Sequence, residues 1–207
     1  MKHYLPGRTV RNFCTFFVFF SCVFLTLSTA LFAQEASSPE HNESRKTYWS
    51  LLGGYGISHT NIGKTKVQVQ VLDFIPRYER ILVDTIGSSW YRGHHSLLVE
   101  VPFTWVFDPD TAPMVGVNVL GAWTFTSSQE VLPYFFGGGG VVYTDANIPG
   151  LGSELNGNWQ FGGGVRFKMA GGNWLSVEYR FHHISNTGAK DPNDPINSSK
   201  FLLGITF

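Results

Sequence analysis

Cysteine is nearly absent from this sequence: only Cys14 and Cys22 occur among its 207 residues. Both lie within the first 33 residues, which have the features of a signal peptide that is removed on export. A mature chain without cysteine has no disulfide bond, no thiolate metal ligand and no cysteine nucleophile. An exported protein without disulfides needs another source of rigidity, and a closed, hydrogen-bonded β-barrel would supply it.

The N-terminal segment has the order of features found in secretory signal peptides. Basic residues precede an apolar run at 13–32, and the polar stretch QEASSPEHNESRK follows it. We predict a cleaved signal peptide at 1–33, with Ala30 as a second cleavage position, then a polar segment at 34–46 and the folded domain at 47–207. An uncleaved anchor is the alternative, because the apolar run is nearly long enough to span a bilayer.

Charge is also scarce and balanced, with 15 basic and 15 acidic residues in the whole chain. This balance indicates neither a nucleic-acid partner nor a substrate attracted by charge. Glycine and aromatic residues, by contrast, are abundant and recur throughout the chain. Their combination is unusual for a helical enzyme and ordinary for a β-barrel, and no break in composition divides the chain into two domains.

Helical periodicity is missing from the mature chain, which instead shows short segments of two-residue alternation. Clusters of Gly, Asn, Asp, Pro and Ser separate these segments. In the last segment, every second residue from Phe201 to Phe207 is apolar. The pattern predicts eight strands, at about 47–58, 65–80, 92–107, 114–125, 131–143, 157–169, 173–185 and 199–207.

Eight alternating strands of about ten residues match the smallest transmembrane barrels, which have apolar outer faces and packed polar interiors. In segment 157–169, Trp159 and Phe161 lie on one face, and Gln160 and Arg166 lie on the other. We therefore predict an all-β fold, an eight-stranded antiparallel transmembrane β-barrel. A soluble ligand-binding barrel is the alternative, and its faces would be reversed.

The even number of strands predicts that both chain ends lie on the periplasmic side of a Gram-negative outer membrane. The terminal Phe207, after an alternating strand, resembles the assembly signal of bacterial outer-membrane barrels. We therefore expect the barrel assembly machinery and outer-membrane lipids as partners. Strand 173–185 then runs outward, and the loop at about 186–198 lies at the cell exterior.

A histidine and a serine occupy the apolar face of strand 173–185. Glu178 and Arg180 mark the interior face, because charges are costly in hydrocarbon. His183 and Ser185 therefore point toward lipid at the level of the outer leaflet. Side chains two residues apart on a strand emerge about 6.5–7 Å apart, so the imidazole can reach the hydroxyl and act as its base. A histidine that anchors the barrel at the membrane interface is the alternative.

The C-terminal residues resemble the signature of the lipid A 3-O-deacylases (PagL-like) of the outer membrane. That family has His-x-Ser-Asn, a following glycine, a loop rich in Asn and Pro, and a final strand that ends in Phe. Here the pattern reads HISN at 183–186, Gly188, PNDP at 192–195 and FLLGITF at 201–207. The motif covers about the last thirty residues, and the barrel plan covers the mature chain.

The resemblance implies a serine esterase that acts on the lipid A of lipopolysaccharide. We expect no cofactor, and no metal ion because His182 and His183 lie on opposite faces of their strand. Ser185 would attack the ester carbonyl of the acyl chain at the 3-position, and His183 would serve as general base. Asn193 would help to hold the oxyanion, with support from Asn186 and Gly188. The site would face the outer leaflet, where lipid A lies.

The third catalytic position departs from the family pattern, because the family's glutamate falls on Asn197. An amide oxygen can accept the histidine's hydrogen bond, but it cannot stabilise the imidazolium by charge. Asp194 and Asp191, in the same loop, are the alternative acids. The alternative function is a non-catalytic outer-membrane barrel with a structural or binding role, and a homodimer is left open.

Overall fold

Residues 45–207 form one closed antiparallel sheet in the computed structural model of this protein, which describes these residues only. The predicted signal peptide at 1–33 and nearly all of the polar segment at 34–46 lie outside the described residues. Among the described residues, none forms a helix with the length and apolar character that a transmembrane helix needs. The strands are β1 (Thr47–Ser58), β2 (Gln70–Ile86), β3 (Gly93–Glu100), β4 (Phe103–Asp108), β5 (Ala112–Phe125), β6 (Val131–Thr144), β7 (Leu155–Lys168), β8 (Trp174–Ser185) and β9 (Ile196–Thr206).

The nine strands close into a ring of eight, because β3 and β4 together occupy one position in the barrel. Both pair with β2 on one side and with β5 on the other. Pro102 lies at the break between them and has no N–H to donate to a ladder. Pairing of β1 with both β2 and β9 closes the ring. The eight-stranded antiparallel barrel predicted from the alternation is therefore confirmed.

Three of the predicted strands differ clearly from the structure. The segment predicted at 92–107 is the interrupted pair β3 and β4. The strand predicted at 65–80 begins at Gln70 and continues to Ile86 through its pairing with β3, so residues 59–69 form a loop. The last strand begins at Ile196 rather than 199, because Ile196 and the polar residues that follow it pair with β8. Asn197 therefore lies on a strand and not in the loop predicted at 186–198.

Alternate residues divide each strand between an apolar outer face and a buried inner face. On β8, Leu175 and Val177 are exposed, whereas Ser176 and Glu178 are almost fully buried. The same outer surface carries exposed aromatic and aliphatic side chains on the other strands, including Phe201, which is 61% exposed. A continuous apolar belt of this kind is typical of barrels that stand in lipid.

The barrel interior contains paired charges. Arg77 contacts Glu178 at 2.8 Å and Glu100 at 2.7 Å, and Arg180 contacts Glu100 at 3.0 Å and also bonds to Glu178. Further along the lumen, Arg166 contacts Glu79 at 2.6 Å. Because each buried charge has a partner of opposite sign, the interior tolerates them and forms a packed polar core. The buried charged residues are Asp73, Arg77, Glu79, Glu100, Arg166, Glu178, Arg180 and Lys200.

An arginine on the outer face should destabilise the barrel more than a conservative change there. Val177 is 47% exposed and lies in the apolar part of β8. We expect Val177→Arg to lower the free energy of unfolding in lipid vesicles by about 2–4 kcal/mol, the cost of arginine near the bilayer midplane. Urea titration followed by tryptophan fluorescence measures it, with Val177→Leu as the control. Equal stability of the two variants would show that Val177 does not face lipid, and the assignment of the two faces would be wrong.

Candidate active site

The C-terminal end of β8 and the start of β9 bring a serine, a histidine and an asparagine into contact. His183 Nε2 lies 3.1 Å from Ser185 Oγ, and His183 Nδ1 lies 2.7 Å from Asn197 Oδ1. Ser185 follows His183 by two residues on β8, and Asn197 is the register partner of His183 on β9. Asn197 is only 6% exposed, whereas His183 and Ser185 are partly exposed on the outer face. A serine hydroxyl and an imidazole thus lie on the outer face, with a buried hydrogen-bond acceptor behind the imidazole.

The indole of Trp159 covers one face of the histidine ring. Trp159 is the register partner of His183 on β7, and the two rings stack with centroids 4.9 Å apart and planes 18° apart. Phe161 and Phe181 continue this aromatic surface along the outside of the barrel, with their rings 5.6 Å apart. The stacking fixes the plane of the imidazole, and the alternation pattern alone assigns Trp159 only to the apolar face.

Two residues of the β1–β2 loop also contact the site, although no sequence pattern indicates them. The side-chain amide of Asn197 donates to the Ile62 carbonyl at 3.0 Å and to Thr65 Oγ1 at 2.9 Å. Thr65 is 4% exposed and lies 132 positions from Asn197 in the sequence. Both hydrogens of this amide are therefore held on the side away from His183.

The loop after β8 is organised by Asn186. Its backbone N–H donates to Asn193 Oδ1 at 3.0 Å, and its own Oδ1 accepts the Gly188 N–H at 2.9 Å. The side-chain amide of Asn186 also donates to the Lys190 carbonyl at 2.6 Å. The backbone N–H groups of Asn186 and Gly188 therefore both donate hydrogen bonds within the loop, and these bonds fix its shape. Asn193 Nδ2 and the Thr187 N–H have no hydrogen-bond partner among the described residues.

Neither alternative acid reaches His183. Asp194 Oδ1 instead lies 2.9 Å from Lys66 Nζ in the β1–β2 loop. Asp191 is exposed and makes no hydrogen bond or ion pair to the histidine. The Nδ1 position is occupied by Asn197. Within residues 45–207, no group of three or more His, Cys, Asp or Glu side chains could hold a metal ion.

A second serine–histidine contact lies next to the first on the outer face. His59 Nε2 is 2.7 Å from Ser199 Oγ, and the Tyr179 hydroxyl lies 2.9 Å from the same oxygen. His59 and Ser199 are 140 positions apart, so no local spacing reveals the pair. Ser199 is 9% exposed, and His59 Nδ1 has no partner within the described part of the chain. Of the two histidines, His183 has an acceptor at Nδ1, the Asn197 oxygen.

Residues 80–206 match the model of a protein family described as lipid A 3-O-deacylase (PagL), and this range includes the serine, histidine and asparagine above. Among solved structures, the outer membrane enzyme PagL is similar with a TM-score of 0.54 and 20% identity, over 76% of this chain and 97% of that one. Neisserial surface protein A (NspA) gives a TM-score of 0.53 and 13% identity, over 77% and 95% of the respective chains. The comparison with curated proteins gives no match. At these identities the two structures show a shared barrel fold.

Proposed function

Because the chain belongs to the lipid A 3-O-deacylase family, we propose that it is an outer-membrane serine esterase that removes the 3-O acyl chain of lipid A. One observation carries this proposal: the hydrogen-bonded chain from Ser185 through His183 to Asn197, on the apolar outer face of the barrel. A polar site in that position suits a substrate that is itself a membrane lipid. It needs no cleft open to water.

The proposed reaction proceeds through an acyl-enzyme. Ser185 Oγ attacks the ester carbonyl carbon while its proton passes to His183 Nε2. The tetrahedral intermediate collapses, the bond to the sugar 3-oxygen breaks, and that oxygen takes the proton from His183. A water molecule, deprotonated by His183, then attacks the acyl-serine; the bond between the acyl carbon and Ser185 Oγ breaks, and the serine oxygen takes the proton back from His183. The products are a free fatty acid, 3-O-deacylated lipid A and the regenerated serine.

Two donors in the loop after β8 are available for the negative oxygen of the tetrahedral intermediate. We assign this role to Asn193 Nδ2 and the Thr187 N–H, which have no partners among the described residues. Asn186 and Gly188 support them, since their hydrogen bonds fix the loop that carries both donors. Donors that are already oriented toward the developing charge supply a large share of catalysis in acyl transfer.

The position of the site fits a substrate in the outer leaflet. With both chain ends on the periplasmic side, β8 runs outward and the site lies at its outer end. The acyl chain would lie along the aromatic surface of Trp159, Phe161 and Phe181, on the hydrocarbon side of Ser185. Lipid A and the lipids around the barrel are thus the proposed partners, and the barrel assembly machinery would insert the protein.

A non-catalytic barrel with a structural or binding role is the second candidate. One observation favours it: the neutral amide of Asn197 stands where the family pattern has a glutamate. Without a charge behind His183, the imidazolium of the transition state receives less stabilisation. The two candidates differ in whether the ester bond is cleaved.

Mass spectrometry of lipid A separates these two functions. Purified, refolded protein should release one ester-linked fatty acid from lipopolysaccharide in detergent micelles and leave lipid A without its 3-O chain. The Ser185→Ala protein, at equal concentration, is the control. Lipid A of unchanged mass, with a barrel that shows heat-modifiable mobility on gels and is therefore folded, would establish the non-catalytic barrel.

A further inference from the structure

We infer that Thr65 and the Ile62 carbonyl, in the β1–β2 loop, are positioning groups that allow an asparagine at position 197 to orient His183. They hold the Asn197 amide in the orientation that turns its oxygen toward His183. The inference rests on the proposed esterase function and deepens it, because it assigns a role to a loop that lies outside the family's motif.

The hydrogen bonds of Asn197 leave its amide one orientation. Its Nδ2 donates to the Ile62 carbonyl at 3.0 Å and to Thr65 Oγ1 at 2.9 Å, so both amide hydrogens are engaged. The backbone N–H of Asn197 also donates to Thr65 Oγ1, at 3.0 Å. A flipped amide would place its oxygen against the Ile62 carbonyl oxygen, where two acceptors repel. Oδ1 must therefore face His183.

This orientation fixes the tautomer of the histidine. An amide oxygen can only accept, so the hydrogen of the neutral imidazole must lie on Nδ1, 2.7 Å from Asn197 Oδ1. Nε2 then carries a lone pair and accepts the Ser185 hydroxyl at 3.1 Å. A flipped amide would donate to Nδ1, and the hydrogen would move to Nε2. His183 could then no longer take the serine proton.

Hydrogen bonds within the β1–β2 loop and to β9 hold the Ile62 carbonyl and Thr65 Oγ1 against Asn197. The His59 N–H donates to the Asn197 carbonyl at 2.9 Å, and the Asn61 N–H donates to the Thr65 carbonyl at 3.2 Å, which closes a tight turn. Gly63 has a φ of +59°, and a Cβ there would lie 3.2 Å from Asn197 Nδ2. Glycine thus meets the backbone angle and lets the turn approach the amide closely.

A carboxylate would not need this loop to select the tautomer of His183, although the oxygen turned away from the histidine would then face the Ile62 carbonyl. Its two oxygens are equivalent, so either can accept from the histidine, whereas an asparagine must be held against flipping. Exchange of an orienting aspartate for asparagine in a serine protease lowers kcat about 10⁴-fold because the wrong tautomer forms. Here the acceptors of the β1–β2 loop prevent that outcome. Loss of the Thr65 hydroxyl should therefore lower kcat when residue 197 is an amide and change kcat little when it is an acid.

The test is the effect of Thr65→Val in two backgrounds. In the otherwise wild-type protein, it should lower kcat about ten- to a hundredfold through misplacement of the base, with a smaller change in KM. Thr65→Ser keeps the acceptor and should restore activity to within a few-fold of wild type. In the Asn197→Asp background, Thr65→Val should cost no more than a few-fold. Equal losses in both backgrounds would mean that Thr65 only stabilises the loop, and would overturn the inference.

A readout that does not depend on turnover separates this inference from the proposed function. Nitrogen-15 NMR of the His183 ring should show its hydrogen on Nδ1 in the wild type and a shift toward Nε2 in Thr65→Val. A wild-type hydrogen on Nε2 would overturn the inference. If the NMR result holds but Ser185→Ala deacylates as fast as wild type, the proposed esterase fails while the positioning stands.

Discussion

Ser185→Ala should abolish removal of the 3-O acyl chain, with a fall in kcat of about 10⁴-fold or more, as expected when a catalytic nucleophile is lost. His183→Ala should have a similar effect, because the serine hydroxyl then has no base at 3.1 Å. The double variant should be no worse than either single one, since nucleophile and base act as a unit. Release of fatty acid from lipopolysaccharide, at saturating substrate, measures kcat.

Ser199→Ala is the matched control for this experiment. Ser199 is also a serine hydrogen-bonded to a histidine on the outer face, at 2.7 Å from His59. It lacks an oriented base, so its loss should change kcat by no more than a few-fold. His182→Ala, which alters the buried lumen face of the same strand, controls for the neighbourhood of the base. Loss of activity in Ser199→Ala, with activity retained in Ser185→Ala, would identify Ser199 as the nucleophile.

Glu178→Leu should cause the largest loss of stability, about 3–5 kcal/mol, the usual cost of removing one partner from a buried ion pair. Glu178 accepts from Arg77 at 2.8 Å and from the Tyr134 hydroxyl at 2.8 Å, and it also pairs with Arg180. After its removal, Glu100 is the remaining carboxylate that contacts the two arginines. Two buried cations would then share one anion.

Urea unfolding of the barrel in lipid vesicles, followed by tryptophan fluorescence, measures this loss. Val177→Leu, one residue away but on the outer face, is the control and should be close to wild type. Glu178→Gln keeps the shape and some hydrogen bonds, so its stability should fall between the two. A Glu178→Leu barrel as stable as Val177→Leu would show that the charge network contributes little to holding the ring together.

The sequence by itself was sufficient for the fold and for the contact between His183 and Ser185. Two-residue alternation is a local property of a strand: once Glu178 and Arg180 must be inside, Val177, His183 and Ser185 must point outward. The His-x-Ser spacing likewise places two side chains on one face without reference to the rest of the chain. The family motif at the C-terminal end added Asn193 and Asn197 by their order in the sequence.

Only the tertiary structure gave the start of β9 and the contact between the β1–β2 loop and Asn197, because both depend on ring closure and strand register. The alternation rule missed the true start of β9, because the outward positions there hold the polar Asn197 and Ser199 rather than apolar residues. Closure of β1 against β9 carries the β1–β2 loop to Asn197, and Thr65 lies 132 positions away in the sequence. No local pattern encodes such a contact. The orientation of the Asn197 amide depends on that loop, so the tautomer that we propose for His183 depends on the closed barrel.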